Sequence, residues 1–216
     1  MNSRTRLLAT AIAVGLSAIA LPAAADDFFF GSTNVAAFGS PTYGKVTLTQ
    51  VGSDVLFNVA LDPEFNFVTT GNHFVFSFNG AGVSLGDIGT ITDAGTQTFS
   101  KTTIGVVNPP FGTFQFGIAC ATNCSNGNSA GGYLDPLTFT VAHSVINDFL
   151  VLSTGAGSLG PAYFAADVVW VADTQSFGAT GAIGVTAPVP EPGTYALFLA
   201  GFGAMGFVAK RRRKAG

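Results

Sequence analysis

Charge is scarce in the middle of this chain, and that scarcity narrows the fold more than any single motif. Of nine Lys and Arg residues, seven sit at the two ends: Arg4 and Arg6 at one, and Lys210, Arg211, Arg212, Arg213 and Lys214 at the other. Residues 26–189 keep only Lys45 and Lys101 against eleven acids, a net of −9 over 164 residues. A globular chain carries roughly a quarter of its residues charged, so the exposed positions here must be filled by Thr, Ser, Asn and Gly. Those residues rank low in helix propensity, whereas Thr, Val and Phe suit half-buried pleated strands. With 48% hydrophobic residues the chain is too apolar for disorder. One all-β domain is therefore expected, and nucleic acid is excluded as a partner because phosphate binding needs a basic surface.

Alternation with period two supports this. Lys45-Val46-Thr47-Leu48-Thr49-Gln50-Val51 places its apolar residues on one face, Gly52-Ser53 turns, and Asp54 to Leu61 returns, closed by Asp62-Pro63; this predicts a β-hairpin. Phe74-Val75-Phe76-Ser77-Phe78 predicts a strand with three Phe on one face. Further strands are expected at Thr96 to Thr103, Thr113 to Ile118, Leu137 to Val141, Phe149 to Leu152, Phe164 to Val171 and Ala182 to Thr186. Phe164 to Val171, following Pro161, also admits a helix. Eight or nine short strands separated by turn residues point to an antiparallel β-sandwich or jelly roll, between which periodicity does not choose.

The two ends have a different logic. Arg4 and Arg6 precede an apolar run from Leu7 to Leu21, and Ala23-Ala24-Ala25 offers small residues before Asp26, the pattern of a signal peptide over 1–25. At the other end, Pro188, Pro190 and Pro192 each fix φ and push the preceding residue out of the helical region, so Glu191 is presented on an extended strip. Residues 194–209 carry no charge. As a helix they would extend about 24 Å, close to a hydrocarbon core of about 30 Å, with Lys210 and Arg211 able to snorkel across the shortfall. Residues 210–216 form a basic stop that stays in the cytoplasm and leaves the body outside. Ala196, Ala200 and Ala204 would share one helix face, as in small-residue helix docking or as in any small-residue span.

Pro190-Glu191-Pro192, the short span and the Arg-rich end resemble the PEP-CTERM sorting signal of Gram-negative bacteria. The resemblance implies recognition by exosortase, a membrane-embedded cysteine enzyme that cuts near the Pro-Glu-Pro motif. It implies a membrane-anchored intermediate held by the C-terminal helix, then release towards the cell surface or an extracellular polysaccharide matrix. The body, residues 26–187, is also similar to others found upstream of this signal through Val46 to Gly52, the Cys120/Cys124 loop and Phe164 to Asp167; that likeness implies an exported β domain and no particular activity.

In an oxidising compartment the only two cysteines, Cys120 and Cys124, are expected to form a disulfide. So small a loop gives about 2 kcal/mol by the chain-entropy estimate, enough to pin a loop tip. A metal site lacks ligands near them, and redox catalysis would favour Cys-x-x-Cys. Asn123-Cys124-Ser125 formally fits a glycosylation acceptor, without meaning in such a host.

Gly82-Val83-Ser84-Leu85-Gly86 fits a nucleophile elbow, with Asp135 and His143 following in hydrolase order, but the helix that the elbow needs is not predicted after Ser84. Gly155-Ala156-Gly157-Ser158-Leu159-Gly160 fits a dinucleotide fingerprint without its βαβ unit. His73 and His143 are the only histidines, so acid–base machinery is sparse. Asp62 and Glu64 are candidates for a glycosidase pair or for a solvated turn. Loop oxygens could suit calcium, though no EF-hand run is present. The 21 Phe read as core, while Tyr133, Tyr163 and Trp170 are the candidates for a carbohydrate platform.

The expectation is therefore an exported, non-enzymatic surface or matrix component, structural or adhesive, with no catalytic residue, metal or cofactor. The alternative is a secreted carbohydrate-binding or carbohydrate-cleaving domain.

Overall fold

The computed structural model describes residues 24–39, 42–70, 74–93, 95–122, 136–155, 157–173 and 176–186. Within them the expected hairpin sets the frame. β3 (Gly44–Val51) and β4 (Asp54–Leu61) pair antiparallel from Gly44↔Leu61 to Val51↔Asp54. Gly52 turns with φ +63° while Ser53 does not, the pattern of a II′ turn whose twist matches the strands. β1 (Ala25–Phe29) adds beside β3 and β11 (Leu137–Val141) beside β4, giving a four-stranded sheet in the order β1-β3-β4-β11.

The second sheet runs β2 (Ser32–Thr33), β13 (Ser176–Val185), β12 (Phe164–Asp173), β6 (Phe76–Phe78), β10 (Phe116–Thr122) and β7 (Thr98–Thr102), with β5 (Phe65–Phe67) also pairing β12. β8 (Val107–Asn108) and β9 (Gly112–Thr113) form a small separate ribbon. All these pairings are antiparallel. The described domain is all-β.

The two large sheets face each other through Phe rings. Phe57 of β4 stacks on Phe139 of β11 at 4.6 Å and meets Phe78 of β6 at 5.2 Å, Phe149 at 4.7 Å and Phe164 of β12 at 6.2 Å. Phe28 of β1 meets Phe164 edge-on at 5.3 Å. Stacked and edge-to-face pairs of this kind add about 0.5–1.5 kcal/mol each beyond area burial. The chain also links the sheets directly. Phe30 donates its N–H to Gly44 and Gly31 donates to Gly184, so one segment leaves the first sheet and enters the second, closing that side. Opposite, Gly89 and Thr92 donate to Thr140 and Thr138, laying residues 88–92 along the outer edge of β11. Covering an edge in this way removes a template for unwanted pairing.

A second, smaller core lies on the far face of the larger sheet. Its floor is made of small residues, including Ala165, Ala182, Gly117 and Gly184. The Phe111 ring lies over Gly184 and the Phe74 ring over Gly117, each so close that a Cβ there would fall 2.6 Å from ring carbon. Val106, Phe114 and Ala162 complete the cluster.

Several sequence expectations change. The three Phe of 74–78 do not share a face: a bend at Val75 leaves Phe76 and Phe78 in the main core and sends Phe74 to the smaller one. Thr113 to Ile118 is not one strand but two, broken at Phe114 and Gln115, where Gln115 donates its N–H to Asn79 Oδ1. Residues 149–152 form no strand; Ile146–Phe149 is a 3₁₀ turn, with Val145 N–H bonded to Asp148 Oδ2 at 2.9 Å. The helical alternative for 164–171 gives way to β12, whose Phe164, Ala166 and Val168 point into the main core. The final strand is longer than Ala182 to Thr186, beginning at Ser176. Among the described residues the thirteen strands exceed the eight or nine expected because β1, β2, β5 and β8 have no clear period-two run. Among the described residues no helix is long and apolar enough to cross a membrane; the proposed signal peptide (1–25, apart from residues 24 and 25), span (194–209) and basic tail (210–216) lie outside them.

Candidate functional site

The nucleophile-elbow residues come together in an arrangement that does not suit attack. Ser84 donates both its N–H (2.8 Å) and its hydroxyl (2.6 Å) to Asp87 Oδ2, and Asp87 returns its N–H to the Ser84 carbonyl. The hydroxyl and backbone bonds from Ser84 hold the Asp87 carboxyl below its ordinary value, with a smaller contribution from His143. His143 Nδ1 stands 3.9 Å from Asp87 Oδ1, on the far side of the carboxylate from Ser84, and its side chain is 83% exposed. A catalytic Ser requires an imidazole between hydroxyl and carboxylate. Here the carboxylate is in the middle, which makes a hydrogen-bonded turn. Asp135, the other expected member, lies outside the described residues.

His143 is also the one described non-glycine residue with positive φ, at 53°. Its surroundings account for this. Its N–H bonds Asp54 Oδ1, Ser144 N–H bonds the Ser53 carbonyl, and the Ser144 hydroxyl bonds the Val141 carbonyl, so the corner after β11 is pinned onto the β3–β4 turn.

The remaining candidates also resolve into structure. Gly155 and Gly160 adopt positive φ in an irregular loop that packs on Pro109 and Pro110 and leads into β12, with no helix to receive a pyrophosphate. Asp62 accepts from Thr42 at 3.2 Å and its carbonyl accepts from Phe65, shaping the turn into β5 next to exposed Glu64. Tyr163 and Trp170 both pack partly against the main core. They stand seven residues apart along one extended segment, about 23 Å, too far to form one platform; Tyr133 and His73 lie outside the described residues. Among the described residues no group of three metal-ligating side chains converges. Cys120 is near the end of β10 and is not a free thiol; its expected partner Cys124 lies outside the described residues, so the bridge itself is not placed.

One buried acid escaped the sequence reading. Asp167 is fully buried on β12, where its Oδ2 accepts from Thr70 N–H at 2.7 Å and from the Thr70 hydroxyl at 2.6 Å. These bonds clamp the chain after β5 onto the sheet. An acid set between Ala165-Ala166 and Val168-Val169 was the available signal. A solvent-open cleft of about 450 Å³ lies between residues 88–91 and β7, lined by Ile88, Ile91, Phe99 and Lys101. Lys101 donates to the Ile88 carbonyl there.

The described residues thus define an all-β domain, and the signal for what happens to the chain lies in its tail. There the family model of the PEP-CTERM protein-sorting motif matches residues 188–213. The chain carries that motif, spanning Pro190, Glu191 and Pro192, the uncharged segment and the basic residues Lys210, Arg211, Arg212 and Arg213, with Lys214 one residue beyond. The motif implies export and recognition by exosortase, a membrane processing enzyme. Neither a curated protein nor a solved structure matches the chain.

Proposed function

We propose that this protein is a non-enzymatic component of the cell surface or of the extracellular polysaccharide matrix, structural or adhesive in role, delivered by cleavage of its C-terminal signal. The sorting motif at 188–213 carries the reading. In this scheme residues 1–25 are removed on export, 194–209 hold the body at the outer face of the inner membrane with Lys210, Arg211, Arg212, Arg213 and Lys214 inside, and the processing enzyme engages Pro190-Glu191-Pro192 before release. Cys120 and Cys124 are joined outside the cytoplasm.

The body supports a structural role in two ways. Among the described residues Phe is spent largely on the interior: of the eleven largest fully buried side chains, ten are Phe and one is Leu48. Of its described carboxylates, Asp27, Asp87 and Asp167 are engaged by neighbouring donors, and the one titratable group lining the described cleft is Lys101, which donates to the Ile88 carbonyl. Glycoside cleavage would need two carboxyl groups facing across a substrate groove, and the described cleft is lined by none. The reading is tested by deleting the gene and fractionating the parent strain. A surface or matrix location, with loss of matrix cohesion in the deletion strain, is the expected result; a protein confined to the cytosol, or an unaltered matrix, refutes it.

A further inference from the structure

The outer face of the four-stranded sheet is mostly polar and largely unspent. Strand register sets Asp27, Thr47, Asn58 and Thr138 side by side across β1, β3, β4 and β11, and a bridge adds Thr92 beyond them. At 4.7–4.9 Å per strand, these five positions span about 19 Å. A parallel row holds Ala25, Thr49, Leu56 and Thr140. The side chains of Thr49, Asn58, Thr138 and Thr140 make no hydrogen bond within the protein among the described residues, although none is fully buried. Three hydroxyls and one amide therefore face outward with their donors and acceptors uncommitted.

Two further features single out this face. Phe29 lies on it, two residues along β1 from Asp27 and opposite Lys45, and is 38% exposed, the one exposed Phe among the described side chains. The ladder and the row of Phe29, Lys45 and Ala60 carry one acid and one base, Asp27 and Lys45, joined at 2.7 Å. The body as a whole carries −9. A polyanion would be repelled by that surplus and by Asp54, which shares this face at the turn end of β4, whereas an uncharged chain meets no such repulsion.

We propose that this face binds a neutral polysaccharide. Asn58, Thr138, Thr49 and Thr140 supply hydrogen bonds to ring hydroxyls, and the Phe29 ring stacks on the apolar face of a sugar. The repeat of the ladder is comparable to the length of one pyranose unit, so successive strands meet successive sugars of an extended chain. The proposal rests on the surface or matrix reading and names the partner.

The test uses the full-length protein in detergent, run by affinity electrophoresis through gels containing a neutral β-glucan, a mannan, a galactan or the polyuronate alginate. Retardation by at least one neutral polymer and not by alginate is expected. It should weaken about tenfold in Asn58→Ala/Thr138→Ala and in Phe29→Ala, and persist in Lys101→Ala, which alters the separate cleft. Melting temperatures of all variants are read alongside, and an Asn58→Gln variant, which keeps the amide, should retain much of the binding. Equal binding by the ladder variants, preference for alginate, or no retardation by any neutral polymer overturns the proposal. Fractionation of the same strain separates the two failures: a surface-located protein that binds no glycan sinks only this face, while a cytosolic one sinks the wider reading.

Discussion

Replacing Phe57 by Ala removes the ring that joins the two sheets. Phe57 is completely buried and sits within ring contact of Phe78, Phe139, Phe149 and Phe164. Truncating a buried Phe costs about 3–5 kcal/mol through lost transfer energy and the cavity left behind. Four aromatic partners, each contributing about 0.5–1.5 kcal/mol beyond area, place this site at the upper end, about 5 kcal/mol. Against a total stability of about 5–15 kcal/mol, that is a large share. For a domain of this size each kcal/mol lowers Tm by about 2–4 °C, giving a fall of roughly 10–20 °C. Phe29→Ala is the matched control, the same chemistry on the exposed face, and should cost less than about 1 kcal/mol. Thermal unfolding followed by circular dichroism on purified protein reads both. Equal shifts, or a fall under about 5 °C for Phe57→Ala, would refute the view that these rings form the shared core.

Other perturbations probe different parts of the molecule. Gly44 has φ +133°, and a Cβ there would lie 2.4 Å from the Ala60 carbonyl oxygen; Gly44→Ala should cost more than about 2 kcal/mol, while Gly52→Ala, with open space around it, should cost only about 1 kcal/mol from its left-handed backbone, and denaturation midpoints compare them. Burial alone would raise the Asp27 pKa, but hydrogen bonds from Lys45 and Thr47 and the Lys45 charge outweigh it and hold the carboxyl below its ordinary value. A lowered folded pKa stabilises above the unfolded carboxylate pKa and is lost as pH falls through the folded one, so wild type should exceed Asp27→Asn in Tm at pH 7 and lose that lead below about pH 4; a pH-independent gap would contradict it. The pair is partly exposed, so the effect should be small and shrink with salt. Asp167→Asn keeps the shape but removes the charge that Thr70 caps, and should destabilise by about 1–3 kcal/mol, measured by urea unfolding.

The parts of the fold that were readable are those where alternation matches burial residue by residue. β4 reads Asp-Val-Leu-Phe-Asn-Val-Ala-Leu and buries Val55, Phe57, Val59 and Leu61 in turn; β11 does the same with Leu137, Phe139 and Val141. Elsewhere local chemistry overrode the pattern. Phe149-Leu150-Val151-Leu152 is as apolar as a strand, but Asp148 closes a turn onto Val145, and only Phe149 of the run is fully buried while Leu150 and Leu152 stay about 40% exposed. β1 was hidden because Asp26-Asp27-Phe28-Phe29-Phe30 mixes acids with consecutive Phe, although Phe28 and Phe30 point inward and Phe29 outward. The sorting motif was legible because its three elements are contiguous in sequence and need no tertiary structure. The polar ladder was not, because it exists only through the register of four strands and one bridge.

The most direct test of the whole reading is intact-mass and C-terminal peptide analysis of the surface-located protein. Removal of the tail near Pro190-Glu191-Pro192, with Lys210, Arg211, Arg212, Arg213 and Lys214 absent from the surface form and retained when Pro190-Glu191-Pro192 is replaced by Ala-Ala-Ala, is the expected result. A surface form that keeps its basic tail, or a trimmed form that persists unchanged in the triple-Ala variant, would contradict sorting by this motif.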